Sequence, residues 1–112
     1  MKEHAAILIR KLNSMFPDAG LREGICRELQ RYGNEQHERE TARVRVAILK
    51  VAGASREQIR EWVDVAKRDY RDVLAAAEYP HQLRFKTWMM ADSERNAIAT
   101  DDLRQYETWI ME

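Results

Sequence analysis
Apolar residues recur along this chain every three to four positions, and the runs break near glycines, prolines and short polar side chains. Residues 3–16 place Leu8, Leu12 and Met15 on one face, with Ile9 and Phe16 beside it, which predicts a helix. Pro17 ends it, and Asp18 is placed to cap the next. Leu21, Ile25, Leu29 and Tyr32 then repeat at helical spacing until Gly33-Asn34, a natural stop. Residues 35–52 carry two signals. "VRVAILKV" alternates like a strand, whereas "EQHERETAR" before it is helical in composition, with Glu35 and Arg39 four apart. A lone strand would have nothing to pair with, so the pattern predicts a helix whose second half is buried nearly all round, hence central.

Gly53 closes that helix, and Ser55 with Gln58 three residues on has the form of a capping box. The next run extends from Arg56 to about Glu78, stopping where Tyr79 precedes Pro80. On a helical wheel Ile59, Trp62, Val63, Ala66, Tyr70, Val73, Leu74 and Ala77 share one face. Tyr70 falls near the middle of that face, Asp69 at its edge, and Arg71 and Asp72 point away. Arg60, Asp64, Arg68 and Asp72 form an outer row of alternating charge at i,i+4. The string "DYRD" is thus divided between interior and solvent. Pro80 starts a shorter, less regular helix through "HQLRFKTWMM", and Thr100 or Asp101 caps a last helix bearing Leu103, Tyr106, Trp109 and Ile110. The expected fold is an all-α, single-domain bundle of four to five helices spanning 1–112, its longest helix about 56–78.

Composition narrows the function more than it names one. The 112 residues suffice for one domain, and 45% apolar with 34% charged residues fits a globular chain. Nineteen basic and nineteen acidic residues cancel, which argues against generic binding to nucleic acid or anionic membrane. The charge is uneven: residues 1–60 carry 12 basic and 8 acidic groups, residues 61–112 carry 7 and 11. That asymmetry suits attraction between the halves of one fold, or head-to-tail pairing of two chains. Cys26 is the only cysteine, so neither an intrachain disulfide nor a multi-cysteine metal site can form; its register suggests a buried small side chain. "HAAILI" is too short for a signal-peptide core, and no run nears the roughly 20 apolar residues that span a bilayer. A cytoplasmic protein is expected.

"REWVDVAK" and "DYRDVLAAAEYP", residues 60–67 and 69–80, together resemble a segment of small, functionally uncharacterised bacterial helical proteins. The resemblance covers under a third of the chain. It implies a bacterial helical protein and carries no activity with it.

The residues offer little to catalysis. No hydroxyl or thiol stands in a nucleophile motif, and His4, His37 and His81 are scattered. Glu78-Tyr79-Pro80-His81 has the lettering of a di-iron ligand pair, but Pro80 breaks the helical spacing; His37 with Glu40 lies in a solvated charge run. No glycine-rich phosphate loop is present, and no cofactor or metal is expected. "ILKVAGASREQIREW", residues 48–62, resembles a helix-turn-helix: Gly53 in the turn, Ala54 buried, Ser55 as second cap, Ile59 and Trp62 inward. Arg56 and Arg60 would face DNA. Leu49 departs from the small residue such a crossing wants, and Glu57, Glu61 and Asp64 dilute the positive face.

The C-terminal quarter carries the sharper signal. Phe85, Trp88, Met89, Met90, Tyr106, Trp109, Ile110 and Met111 include two of the three tryptophans and three of the five methionines, types enriched at binding surfaces. The sequence therefore leads to a non-enzymatic protein-interaction module, self-associating through Phe85, Trp88, Met89, Met90, Trp109 and Ile110 as a homo-oligomer or with a protein partner, and not with a membrane. The alternative is a DNA-binding regulator using Arg56 and Arg60. A second alternative is a small ligand-binding bundle or enzyme with its site near Tyr70, Asp69 and Trp62.

Overall fold
The computed structural model describes residues 3–84 and 90–112. Seven helices follow in order: α1 His4–Met15, α2 Ala19–Leu29, α3 Thr41–Ala52, α4 Arg56–Arg68, α5 Tyr70–Glu78, α6 Pro80–Arg84 and α7 Asp92–Met111. The described residues contain no strand, so the all-α bundle expected from the periodicity is the fold. Helix α3 is its axis. Val44, Val46, Ala47, Ile48 and Leu49 are all fully buried, and α1, α4 and α5 pack around them. The alternation in "VRVAILKV" is thus the signature of a helix enclosed on every side rather than of a strand.

Helix ends follow local chemistry. Asp18 accepts the Leu21 N–H at 2.8 Å and Ser55 accepts that of Gln58 at 3.3 Å, both caps legible from the sequence. Gly53 closes α3 at φ 65°, donating its N–H to the Leu49 carbonyl. Four expectations need correction. The helix expected over 56–78 is two, because Asp69 adopts an extended conformation (φ −158°, ψ 104°). Its N–H closes α4 on the Val65 carbonyl while its carboxylate caps the Arg71 N–H, so one residue ends one helix and starts the next. The longest helix is α7, and it begins at Asp92 rather than at Thr100 or Asp101. The described residues form seven helical segments instead of four or five. Residues 35–40 are not helical at all, so Glu35 and Arg39 are not helical neighbours.

The wheel nevertheless places the core side chains correctly on both halves. Ile59, Val63 and Ala66 of α4 and Val73, Leu74 and Ala77 of α5 are buried, and Trp62 and Tyr70 pack partly buried against them. The outer row does not pair along its own helix. Arg60 lies 3.6 Å from Glu28 of α2, and Asp64 pairs with Arg31 just past the end of that helix.

The 30–40 connection escapes the helix because a buried carboxylate offers its backbone a better arrangement. Glu38 is 5% exposed. Its Oε1 accepts the N–H groups of Gly33 at 2.8 Å, Asn34 at 3.1 Å and Glu35 at 3.3 Å, and its Oε2 accepts the Lys67 ammonium at 2.7 Å. Gly33 sits at φ +111°, where any Cβ would lie 2.6 Å from Thr41 Cγ2. The carbonyls ending α2 are covered as well: Arg45 donates to Leu29 and Tyr32, Lys67 to Arg31. The wholly buried Tyr32 hydroxyl donates to the Arg39 carbonyl at 2.6 Å.

Two further buried carboxylates tie elements together. Glu78 accepts a bidentate fork from Arg43, at 2.8 and 2.6 Å, joining α5 to α3. Asp102 of α7 accepts the N–H groups of His81 and Gln82 at 3.0 and 2.9 Å, and lies 2.5 Å from His81 Nδ1. It thereby holds the start of α6.

Burial alone would raise the Glu38 carboxyl, but Lys67 and the three amides outweigh it and bring its pKa from 4.5 down to about 2. A depressed folded-state pKa stabilises above the unfolded value, so this contribution is lost as the pH falls from 4.5 toward 2. Glu38→Gln is expected to cost about 2 kcal/mol at neutral pH and to flatten the pH dependence of stability in that acid window, as read by urea unfolding at a series of pH values. Asp102→Ala strands two partly buried amides and is expected to cost about 1–3 kcal/mol, with Asp102→Asn, which keeps an acceptor, recovering part of it in the same measurement.

Candidate anion-binding cleft
The locked connection and the α4–α5 break face one another. Between them lies a cleft of about 650 Å³ lined by Gln36, His37, Arg39, Arg68, Asp69, Tyr70 and Arg71, within the size range of ligand sites. Each wall has a local cause. Glu38 folds inward and fixes residues 33–35, which leaves its neighbours His37 and Arg39 on the outer side. The extended conformation of Asp69 turns the chain so that Arg68, the last residue of α4, and Arg71, in the first turn of α5, border the same space.

The charge in the cleft is one-sided. Three guanidinium groups meet a single carboxylate. Asp69 binds Arg71 through two parallel bonds, Oδ1 to Nε and Oδ2 to Nη2, each 2.9 Å. That pairing, with the Arg71 N–H, holds the Asp69 carboxyl below its ordinary range. Arg39 and Arg68 are exposed, and neither has a carboxylate partner among the described residues. His37 keeps its ring two-thirds exposed, with Nε2 3.2 Å from the Lys67 carbonyl and 4.0 Å from Glu38. Tyr70 supplies a partly apolar wall backed by the core. Guanidinium offers only donors, in a fork that matches carboxylate and phosphate. The arrangement is suited to holding an oxyanion. Among the described residues no serine, threonine, cysteine or lysine lines it, and the nearby Lys67 ammonium is spent on Glu38 and the Arg31 carbonyl.

Of the residues singled out in the sequence, Asp69 and Tyr70 belong to this cleft, whereas Trp62 does not line it. The DNA-facing arginines are drawn toward α2 instead. The Arg56 guanidinium lies against Gly24, where a Cβ would stand 3.2 Å from Cζ, and Arg60 approaches Glu28. The C-terminal set divides. Ile110 is a core residue, 1% exposed, because the inner face of α7 at its end packs with Tyr106 into the bundle; it is not an available contact surface. Trp109 is half-buried, stacked on Tyr106 at 6.3 Å with the Lys11 ammonium 4.2 Å from its ring centre. Met90 is half-buried and Met111 exposed. Phe85, Trp88 and Met89 lie outside the described residues. The sequence reading missed Gln36, His37 and Arg39, since a helix over 35–52 would turn them to different sides. The one signal available was Gly33-Asn34 followed by Glu38 at capping distance. No protein-family model, no curated protein and no solved structure matches the chain, so the chemistry of the cleft stands on its own side chains.

Proposed function
We propose that this chain is a non-enzymatic interaction module that grips an acidic segment of a partner protein in the cleft between residues 36–39 and 68–71. One observation carries this reading: Arg39, on the connection fixed from within by Glu38, and Arg68 and Arg71, on either side of the α4–α5 break, line a single cleft against one carboxylate. Preorganised arginines lose less freedom on binding than arginines on a loose loop. The cleft is open to solvent and not an enclosed cavity, which suits a segment of a partner chain. Among its described lining residues arginine predominates and none is a serine, threonine, cysteine or lysine, which favours recognition over catalysis. Duplex DNA is the less fitting partner, because the whole chain is electrically neutral and Arg60 lies 3.6 Å from the Glu28 carboxylate.

Individual exposed contacts of this kind contribute about 0.2–1 kcal/mol, so affinity should be modest and sensitive to salt. In an amide NMR titration with hexaglutamate at low ionic strength, shifts are expected at Gln36, His37, Arg39, Arg68 and Arg71. Arg39→Ala with Arg68→Ala should weaken binding at least fivefold without loss of fold. Shifts centred on α7, or saturation by pyrophosphate or duplex DNA but not by the peptide, would replace this reading with another.

A further inference from the structure
Asp69 performs two tasks that chemistry does not require to go together. As the cap of α5 it accepts the Arg71 N–H at 3.1 Å, a task Asn or Ser performs about as well. As an anion it also engages the Arg71 side chain through both oxygens at 2.9 Å. That second geometry is the one an incoming carboxylate would adopt on the same guanidinium. Of the three arginines in the cleft, Arg71 is the one already matched by a carboxylate. Resting on the reading above, we infer that Asp69 is an internal stand-in for the partner's carboxylate, occupying the Arg71 fork until a more highly charged segment displaces it.

The consequence is a threshold set by ligand charge. A segment with one or two carboxylates can satisfy Arg39 and Arg68 and leaves Arg71 to Asp69. A denser acidic run supplies a third carboxylate at higher local concentration and competes for Arg71. While bound there, it also meets the repulsion of the Asp69 charge. Removing that charge while keeping the cap should therefore raise affinity, and the gain should depend on Arg71.

The test compares the wild-type chain with Asp69→Asn, Asp69→Ser, Arg71→Ala and Asp69→Asn/Arg71→Ala, titrated with diglutamate and with hexaglutamate at low salt. Thermal unfolding run alongside checks that the capped variants keep the fold; Ser serves should Asn disturb it. Asp69→Asn is expected to bind hexaglutamate about tenfold more tightly, to gain less for diglutamate, and to lose the gain when Arg71 is also replaced. Equal affinity in wild type and Asp69→Asn, with the peptide still bound at the cleft, would overturn the stand-in role and leave the cleft's function intact. A gain that survives the loss of Arg71 would overturn it as well, assigning the effect to general charge. Absence of binding by every variant would overturn the function proposed for the cleft and this inference together.

Discussion
The contact between the Glu38 carboxylate and the backbone of residues 33–35 is the interaction on which the rest of the arrangement depends. A buried carboxylate is costly unless its acceptor capacity is used. Here three amide N–H groups and the Lys67 ammonium use it. The contact runs in both directions. The connection after α2 would otherwise carry unpaired donors beside the core, and Lys67 would otherwise be a plain surface cation on α4. Because Lys67 also donates to the Arg31 carbonyl, a single ammonium joins the end of α2, the connection and the last turn of α4. The cleft inherits its shape from this joint, since one wall flanks Glu38 in sequence and the other follows Lys67.

The break at Asp69 is the second element of that shape, and its logic is local. An uninterrupted helix through 56–78 would bury the same apolar face but send Arg68 and Arg71 to sides of the rod set by the helical repeat alone. Extending one residue lets the axis turn while Ile59, Val63 and Ala66 before it, and Val73, Leu74 and Ala77 after it, all stay buried. The turn leaves no backbone donor stranded at Asp69, whose N–H reaches Val65 and whose side chain serves Arg71. Core burial therefore does not decide between a straight rod and a turned one. Capping at one position does.

That distinction explains which features were legible in the sequence. Burial faces were, because a period of 3.6 survives any interruption that keeps the phase: the wheel named the buried residues of α4 and α5 although it joined them. The enclosed α3 and the caps at Asp18 and Ser55 were legible for similar reasons, each resting on neighbours within four positions. Apart from the break at Asp69 and the start of α7, what failed was decided by a partner distant in sequence. "EQHERE" has helical composition, yet Lys67, 29 residues beyond Glu38, gives it a different role. Asp64 was assigned to Arg60 or Arg68 on its own helix, but Arg31, just past the end of α2, takes it. Ile110 read as part of an exposed aromatic cluster because the sequence shows its neighbours in the chain and not the Tyr106 side of the core beneath it. The start of α7 carried a usable sign in Asp92 and Glu94, acidic residues in the first turn, which sparse apolar spacing obscured.

The buried acids share a pattern that bears on why so small a bundle carries them. Glu38 and Asp102 each accept backbone N–H groups at a place where the chain departs from a long helix: the connection before α3 and the start of α6. Glu78 takes the Arg43 fork where α5 ends. An apolar side chain of the same size could fill any of these positions, but none could satisfy two or three amides pointing inward. Buried charge in this fold is therefore better understood as the means of making irregular backbone rigid than as a source of net stability. Rigid irregular backbone is in turn what the bundle needs to hold Arg39 opposite Arg68, since a regular helix can fix a side chain only relative to its own axis. The two structural oddities of the chain, a carboxylate in the interior and an arginine-lined cleft on the surface, are consequences of one device seen from its two sides.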